Sequence, residues 1–523
     1  MSVIEAGPGP PRLSWFKTTS PRECAISSHL DTSPRLIPAQ QEPVDPVRSG
    51  VSLAAVLIWA VPALTAAGLA GWRLTGASLW ADELATWGAV RLSWAQLWQL
   101  SGTVDAVVAP YYAALKAWCT LAGTGSAALR LPSALAIVGA TVVVTALGRR
   151  IGGVPAGLVA GLLFALVPAT SRYGQEARPY ALAMFFAVLA VLCLVRLVEA
   201  PGVLRAIGYA ASVAATGLLH PLGGLLMVAG HATAIGCLQL RVDSRNRRSA
   251  VLWLGAAFAG SVPALVLAWW GTRQSAQISW IPLATVDSLQ GLPQNVFASA
   301  AVGGILLVLA VLGTGRSLAA VVLAGAGFVP PALLLIVGTQ TPLWVGRYVM
   351  IAIGPLAVLG GLGALRAGKV PATLVIVLAL LFSWPVQLEF RTSSGHAEDS
   401  AKIASVIGPR YRAGDVVVFP DTHPSIPWAA RDIYERYLPA PRPPDVLRVA
   451  APRTSGRLLA RECPGAACLG TPPRIWVIRV DNSTDPLKDM TPAKRRRIGE
   501  HYRTVQSWKF PLLGVTLMER SEV

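Results

Sequence analysis

Charge is what this sequence has least of. Only 14% of its 523 residues are Asp, Glu, Lys or Arg, while 53% are hydrophobic and the mean hydropathy is +0.53. Soluble domains carry roughly 25% charged residues, so an ordinary soluble chain is excluded and a polytopic membrane protein is expected. Acidic residues are the scarcer sign, 27 against 45 Lys and Arg, for a net charge of +18. In a soluble chain that excess would suggest nucleic acid. Here much of it sits in short loops between apolar runs, where membrane topology and anionic lipids account for it, so no nucleic-acid partner is expected. Cysteine is sparse, and the six present lack metal-ligand spacing. Cys193 and Cys237 lie in apolar spans as packing residues; Cys463 and Cys468 lie in a polar tail, where a disulfide is open to them if the tail is outside the cytosol. The apolar spans carry almost no ionisable residues and show no two-fold repeat. That counts against a transporter or lipid flippase, the main alternative reading, which would place charge within the membrane.

Residues 1–50 are rich in Pro, Ser and Arg without apolar periodicity, and read as a disordered leader too long and polar for the start of a signal peptide. Residues 51–385 read as a transmembrane domain of about eleven helices: a first span at about 51–70, a long loop at 71–130, then spans at about 131–147, 154–169, 180–195, 206–219, 222–240, 250–270, 296–312, 318–337, 349–365 and 370–384. In the loop, Leu84, Trp87, Val90 and Leu97, then Tyr111, Leu115, Trp118 and Leu121, have the spacing of amphipathic helices lying in the membrane interface. Residues 386–523 are polar and Pro-rich with short strand-like runs, and read as an α/β domain. One set of joints is basic (Arg149 and Arg150; Arg196 and Arg205; Arg241 to Arg248; Arg316; Arg366 and Lys369) and the alternate set is not. The positive-inside rule makes the first set and the N-terminus cytosolic, and puts the first loop and the C-terminal domain on the outer side.

That alternation gathers the unusual polar joints on one side. The stretch Ser78 to Trp87 carries adjacent carboxylates, Asp82 and Glu83, between tryptophans at the membrane edge. A carboxylate there is costly unless used, so the stretch is either catalytic or an acidic turn with Trp anchors. The run Ser171 to Tyr180 sets Arg172, Glu176 and Arg178 between apolar helices. Arginine is suited to grip a phosphate bidentately, and Pro179 suits the first turn of a helix whose free N–H groups favour anions. A phosphate at the membrane surface suggests a lipid phosphate; the simpler alternative is a helix joint with an internal ion pair. His220 before Pro221, and Arg347 with Tyr348, complete the set.

Together the Asp82-Glu83 pair, Arg130 to Ser133, Gly148 to Arg150, Gln175 to Tyr180 and Arg347-Tyr348 resemble the polytopic GT-C glycosyltransferases, above all the bacterial dolichyl-phosphate-mannose-protein mannosyltransferase-like group, glycosyltransferase family 39-like. The resemblance covers about 51–384. One departure is plain: where much of that group has a His-Pro-Pro-Leu-like turn, Val108 to Tyr112 has no histidine. The resemblance implies a multi-pass bacterial plasma-membrane enzyme. It would transfer a sugar, mannose by default, from a polyprenyl-phosphate donor to a protein or glycolipid acceptor on the outer side, with inversion. An attacking hydroxyl needs a base and a phosphate leaving group needs cations. Asp82 is the first candidate base and Glu83 the second, since adjacent residues of a helix point in different directions. Arg178, Arg347 and Arg172 are candidates for the donor phosphate; Glu176, Tyr180, Tyr348 and His220 for substrate contacts. The tyrosines double as interfacial anchors, His220 as a helix-end hydrogen-bonder, and Glu176 as an arginine partner or a divalent-metal ligand. No metal is required by these residues. A non-catalytic envelope-assembly protein is a further alternative.

Overall fold

The computed structural model describes residues 53–240, 244–274, 278, 280–422 and 428–521. The expected leader therefore lies outside the described residues, as does Arg241. The chain opens with α1 (Leu53–Gly71), and the first loop folds into α2 (Ala81–Val90), α3 (Trp94–Thr103) and α4 (Ala109–Ala122). The bundle continues through α5 (Ser126–Leu166), α6 (Pro168–Gly174), α7 (Tyr180–Glu199), α8 (Val203–Leu219), α9 (Pro221–Gln239), α10 (Ser244–Thr272), α11 (Val286–Gln290), α12 (Leu292–Phe297), α13 (Ala300–Leu312), α14 (Leu318–Gly338), α15 (Ile353–Arg366) and α16 (Lys369–Glu389). Among the described residues seven helices are long and apolar enough to cross a membrane, and three shorter apolar helices accompany them.

The expected spans fall on these ten helices, two of them on one. The two expected at 131–147 and 154–169 form one 41-residue run, α5, which turns back at Gly153 with φ 78° and ψ −170°. That backbone conformation favours glycine. Small residues let the arms close on each other: a Cβ on Gly148 would lie 2.7 Å from the Ala156 carbonyl, and one on Gly157 2.8 Å from that of Thr145.

After α16 comes the α/β domain: α17 (Lys402–Ile407), β1 (Val416–Val418), α18 (Ala429–Tyr437), β2 (Arg448–Ala450), β3 (Arg461–Glu462), β4 (Arg474–Arg479), α19 (Pro492–His501), β5 (Tyr502–Phe510) and β6 (Leu513–Arg520). The main sheet has the order β1-β4-β6-β5, with β1 parallel to β4 and the other pairs antiparallel. Alternation along the strands gives the sheet two apolar faces. Val417, Trp476, Ile478 and Leu517 face one core; Val418, Ile475, Val477 and Met518 face another with Ile498 of α19.

The first of those cores is shared with the first loop. Leu84, Trp87, Val90, Leu97, Tyr111 and Leu115, expected from their spacing to lie in the membrane interface, are buried against Val417, Ile433 and Trp476. An apolar stripe signals that a helix face is buried, not what buries it. Trp94, Trp98 and Leu121 remain exposed, and Trp98 meets Trp270 of α10 edge to face at 5.7 Å.

Candidate active site

α2 begins without a side-chain cap from its own preceding residue, Trp80. Its first N–H is taken up by the C-terminal segment instead: Ala81 N–H donates to Glu398 Oε1 at 3.0 Å. Next to it, Leu79 N–H donates to Tyr437 Oη at 2.7 Å and Ser78 N–H to the Ser393 carbonyl at 2.9 Å. Asp82 and Glu83 follow in the first turn, where the helix dipole favours carboxylates. Successive helical residues are about 100° apart, so the two side chains diverge.

Glu83 turns inward and is fully buried. Arg130 Nε and Nη2 donate to its two oxygens at 2.7 and 2.6 Å, and Ala177 N–H donates to Oε1 at 2.8 Å. Arg130 also donates to the carbonyls of Leu74, Ala77 and Ser78, at 2.9, 3.0 and 3.2 Å. His396 Nδ1 lies 3.5 Å from Glu83 Oε2. Burial pushes the Glu83 carboxyl up, but Arg130, with help from His396, outweighs it and holds the group well below the usual carboxylate range. Burial and the Arg172 charge lower His396 to about 3, leaving it neutral.

Asp82 turns to the other side, its side chain 26% exposed, with Oδ2 3.6 Å from Arg178 Nη2. Arg178 Nη1 also reaches the Asp82 carbonyl at 3.4 Å and Tyr112 Oη at 3.5 Å, while Tyr112 donates to Asp105 at 2.9 Å. The expected residues converge around this point. The rings of Tyr173 and Tyr180 meet at 5.5 Å, Tyr180 and His220 at 5.8 Å, and His220 and Tyr348 at 5.2 Å. Arg347 lies over Trp80, Trp280 and Tyr348 at 5.9, 5.4 and 5.7 Å. Among the described residues Arg347 has no carboxylate within ion-pair distance, and its buried Nε has no hydrogen-bond partner.

Arg172 is committed elsewhere: it pairs with Glu176, four residues on and past the end of α6, at 2.5 Å. Burial, opposed by Arg172, raises Glu176 to about 7. His220 Nδ1 accepts from Gly223 N–H at 2.8 Å, closing the start of α9, and burial with the Arg347 charge lowers it to about 4. Among the described residues no cluster of three or more His, Cys, Asp or Glu is disposed to hold a metal ion.

The run from Gln175 to Tyr180 is dense because each residue has a different partner. Gln175 Nε2 donates to the Ala70 and Trp72 carbonyls at 3.0 and 2.8 Å, closing the end of α1. Glu176 holds Arg172, Ala177 holds Glu83, Arg178 meets Asp82, and Pro179 starts the helix that presents Tyr180. Sequence reading missed Arg130 as a site-building residue, and with it Trp80, Tyr112, His396 and Glu398. Arg130, Trp80 and Tyr112 lie within runs that the sequence singles out, without a role of their own there; His396 and Glu398 come from a polar tail with no local signal.

Burial, with Asp82 and Glu83 adding to it and the Ala81 N–H opposing, raises Glu398 to about 8. A carboxyl with a raised folded-state pKa contributes stability that is full below its ordinary value near 4.5 and is lost as pH rises through about 8. Wild-type stability should therefore fall from about pH 4.5 to pH 8. Glu398→Gln, which keeps an acceptor for Ala81, should have a flatter profile and melt no lower than wild type at pH 8. Glu176 titrates in the same window, so the difference between the two thermal-melt profiles isolates Glu398; identical slopes would reject the assignment.

The helical bundle, its folded first loop and the small sheet domain closing over that loop make up a fold of the GT-C type. Two solved structures share it. ArnT from Cupriavidus metallidurans bound to undecaprenyl phosphate superposes with a TM-score of 0.55 at 14% identity, covering 88% of this chain and 97% of that one. The same protein in the apo state gives 0.53 at 13% identity, covering 88% and 96%. No protein-family profile matches the chain, and no curated protein matches it by sequence.

Proposed function

We propose that this chain is a membrane glycosyltransferase that moves a sugar from a polyprenyl-phosphate donor to an acceptor hydroxyl, inverting the anomeric centre, with Asp82 as general base. The observation that carries the reading is one partly exposed carboxylate, Asp82, paired with the buried Arg178, in a site that also holds the half-buried Arg347, whose buried Nε has no hydrogen-bond partner and which has no anion within ion-pair distance among the described residues. A partly buried cation without an anion is costly, and a phosphate group would relieve that cost. The fold shared with a protein solved on undecaprenyl phosphate supports a lipid carrier.

In this reading Asp82 takes the proton of the acceptor hydroxyl as its oxygen attacks the anomeric carbon. The bond from that carbon to the phosphate oxygen breaks, and the lipid phosphate leaves with its charge met by Arg178 and Arg347. Arg172 supports from behind Trp80, over which it lies at 6.0 Å, and Glu176 keeps Arg172 in place. Tyr180, Tyr348 and His220 form the wall against which a sugar or isoprenoid unit would rest. Glu83 takes no part in the chemistry, because Arg130 and Ala177 occupy its oxygens. Mannose is the sugar put forward, on the family resemblance alone, with a protein or glycolipid as acceptor. The N-terminal leader is placed in the cytosol, and the first loop, the site and residues 386–523 on the outer face of a bacterial plasma membrane.

Membranes carrying the protein, incubated with a panel of radiolabelled polyprenyl-phosphate sugars, should label an acceptor from one donor; no transfer from any would reject the reading. With that donor, Arg347→Ala should raise the donor KM roughly tenfold or more, the worth of a charge-assisted contact, and leave the acceptor KM within about twofold. An effect confined to the acceptor would reject its phosphate role.

A further inference from the structure

A second group of arginines without partners lies far from Asp82 in the chain, on the C-terminal domain. α19 carries four consecutive basic residues, Lys494 to Arg497, and they divide sharply. Lys494 is buried and donates to Glu462 at 2.7 Å, and Arg495 pairs with Asp485 at 2.8 Å. Arg496 and Arg497 have no carboxylate within ion-pair distance among the described residues, and neither does Arg520 at the end of β6. These three line one cleft of about 480 Å³ together with His501, Glu500 and Thr471. Its floor is built. Tyr502 donates to the Pro472 carbonyl at 2.9 Å, Arg520 N–H to that of Pro473 at 3.0 Å, and Gly470 turns the rim with φ 63°.

We infer that this cleft binds a phosphate group carried on a soluble or polymeric chain. Three guanidiniums offer more positive charge than a single carboxylate would need, and their planar forks suit the several oxygens of a phosphate. The sheet argues against a bilayer headgroup as the source. Trp476, Ile478 and Leu517 face the core shared with the first loop, whereas α19 packs through Ile498 on the opposite face with Ile475, Val477 and Met518. The cleft therefore opens on the side of the domain turned away from the first loop. The inference does not depend on the chemistry at Asp82.

The test uses the full chain in zwitterionic nanodiscs, titrated calorimetrically with inorganic tripolyphosphate at fixed salt. Saturable binding is expected, weakened at least tenfold in R496Q/R497Q/R520Q with an unchanged melting temperature. A control triple, R412Q/R457Q/K509Q, removes the same charge from other exposed positions of the domain and should stay within about twofold of wild type. Absence of binding, equal loss in both triples, or arginine-dependent binding only to phosphatidylglycerol vesicles would each overturn the inference. If the cleft triple melts lower, the single variants R496Q and R520Q, each expected to weaken binding about threefold or more, decide the matter in its place.

Discussion

Asp82→Asn should lower the rate of sugar transfer by about 10²–10⁴-fold, the usual contribution of a positioned general base, while the protein still inserts, folds and binds donor. The substitution is close to isosteric, and Asp82 holds no buried partner apart from its 3.6 Å approach to Arg178. Removing the carboxylate takes away the proton acceptor and one anion beside two guanidiniums. Donor binding should therefore hold or tighten slightly, since the phosphate would meet less competition for Arg178. The discriminating result is a collapse of kcat with an unchanged or lower donor KM. A raised donor KM with kcat intact would mean that Asp82 orients Arg178 and does not take the proton. A rate within twofold of wild type would reject it as the base. Single-turnover measurement separates the chemical step from product release, which can mask a slower reaction.

How far this site could be read beforehand depended on whether its parts announce themselves locally. A carboxylate pair at a membrane edge and arginines between apolar helices are conspicuous against so uncharged a background, and Asp82, Arg178, Arg347, Tyr180, His220 and Tyr348 do come together. The division of labour between Asp82 and Glu83 was not legible, because it is set by partners 47 residues away at Arg130 and 94 away at Ala177. Glu398, which closes the start of α2, sits 317 residues from Ala81. The amphipathic spacing of the first loop was legible as burial but silent on its partner. The sheet domain that covers it is recognisable only by its own strands, and the turn within α5 rests on one glycine backbone angle.

Arg130→Met should be the most destabilising single change near the site, costing about 3–5 kcal/mol, the range for breaking a buried pair from one side. Both partners are buried, and the arginine also ties down three carbonyls of the segment leading into α2. Its loss would leave Glu83 as an uncompensated carboxylate beside a neutral His396. Replacing both partners, Glu83→Leu with Arg130→Met, should recover a substantial part of that loss, because no stranded charge is left; the carbonyls of Leu74, Ala77 and Ser78 would still lack their donor, so recovery should stop short of wild type. Thermal or denaturant unfolding of the four proteins in one detergent gives the coupling energy. Additive losses would show that the pair does not act as a unit. The same double variant separates the two adjacent carboxylates of α2: any transfer activity it retains comes from an enzyme without Glu83, with Asp82 still at its turn of the helix. If it folds, binds donor and transfers nothing, Glu83 has a part in the chemistry after all, and the bidentate pair with Arg130 is a resting arrangement that must open for turnover.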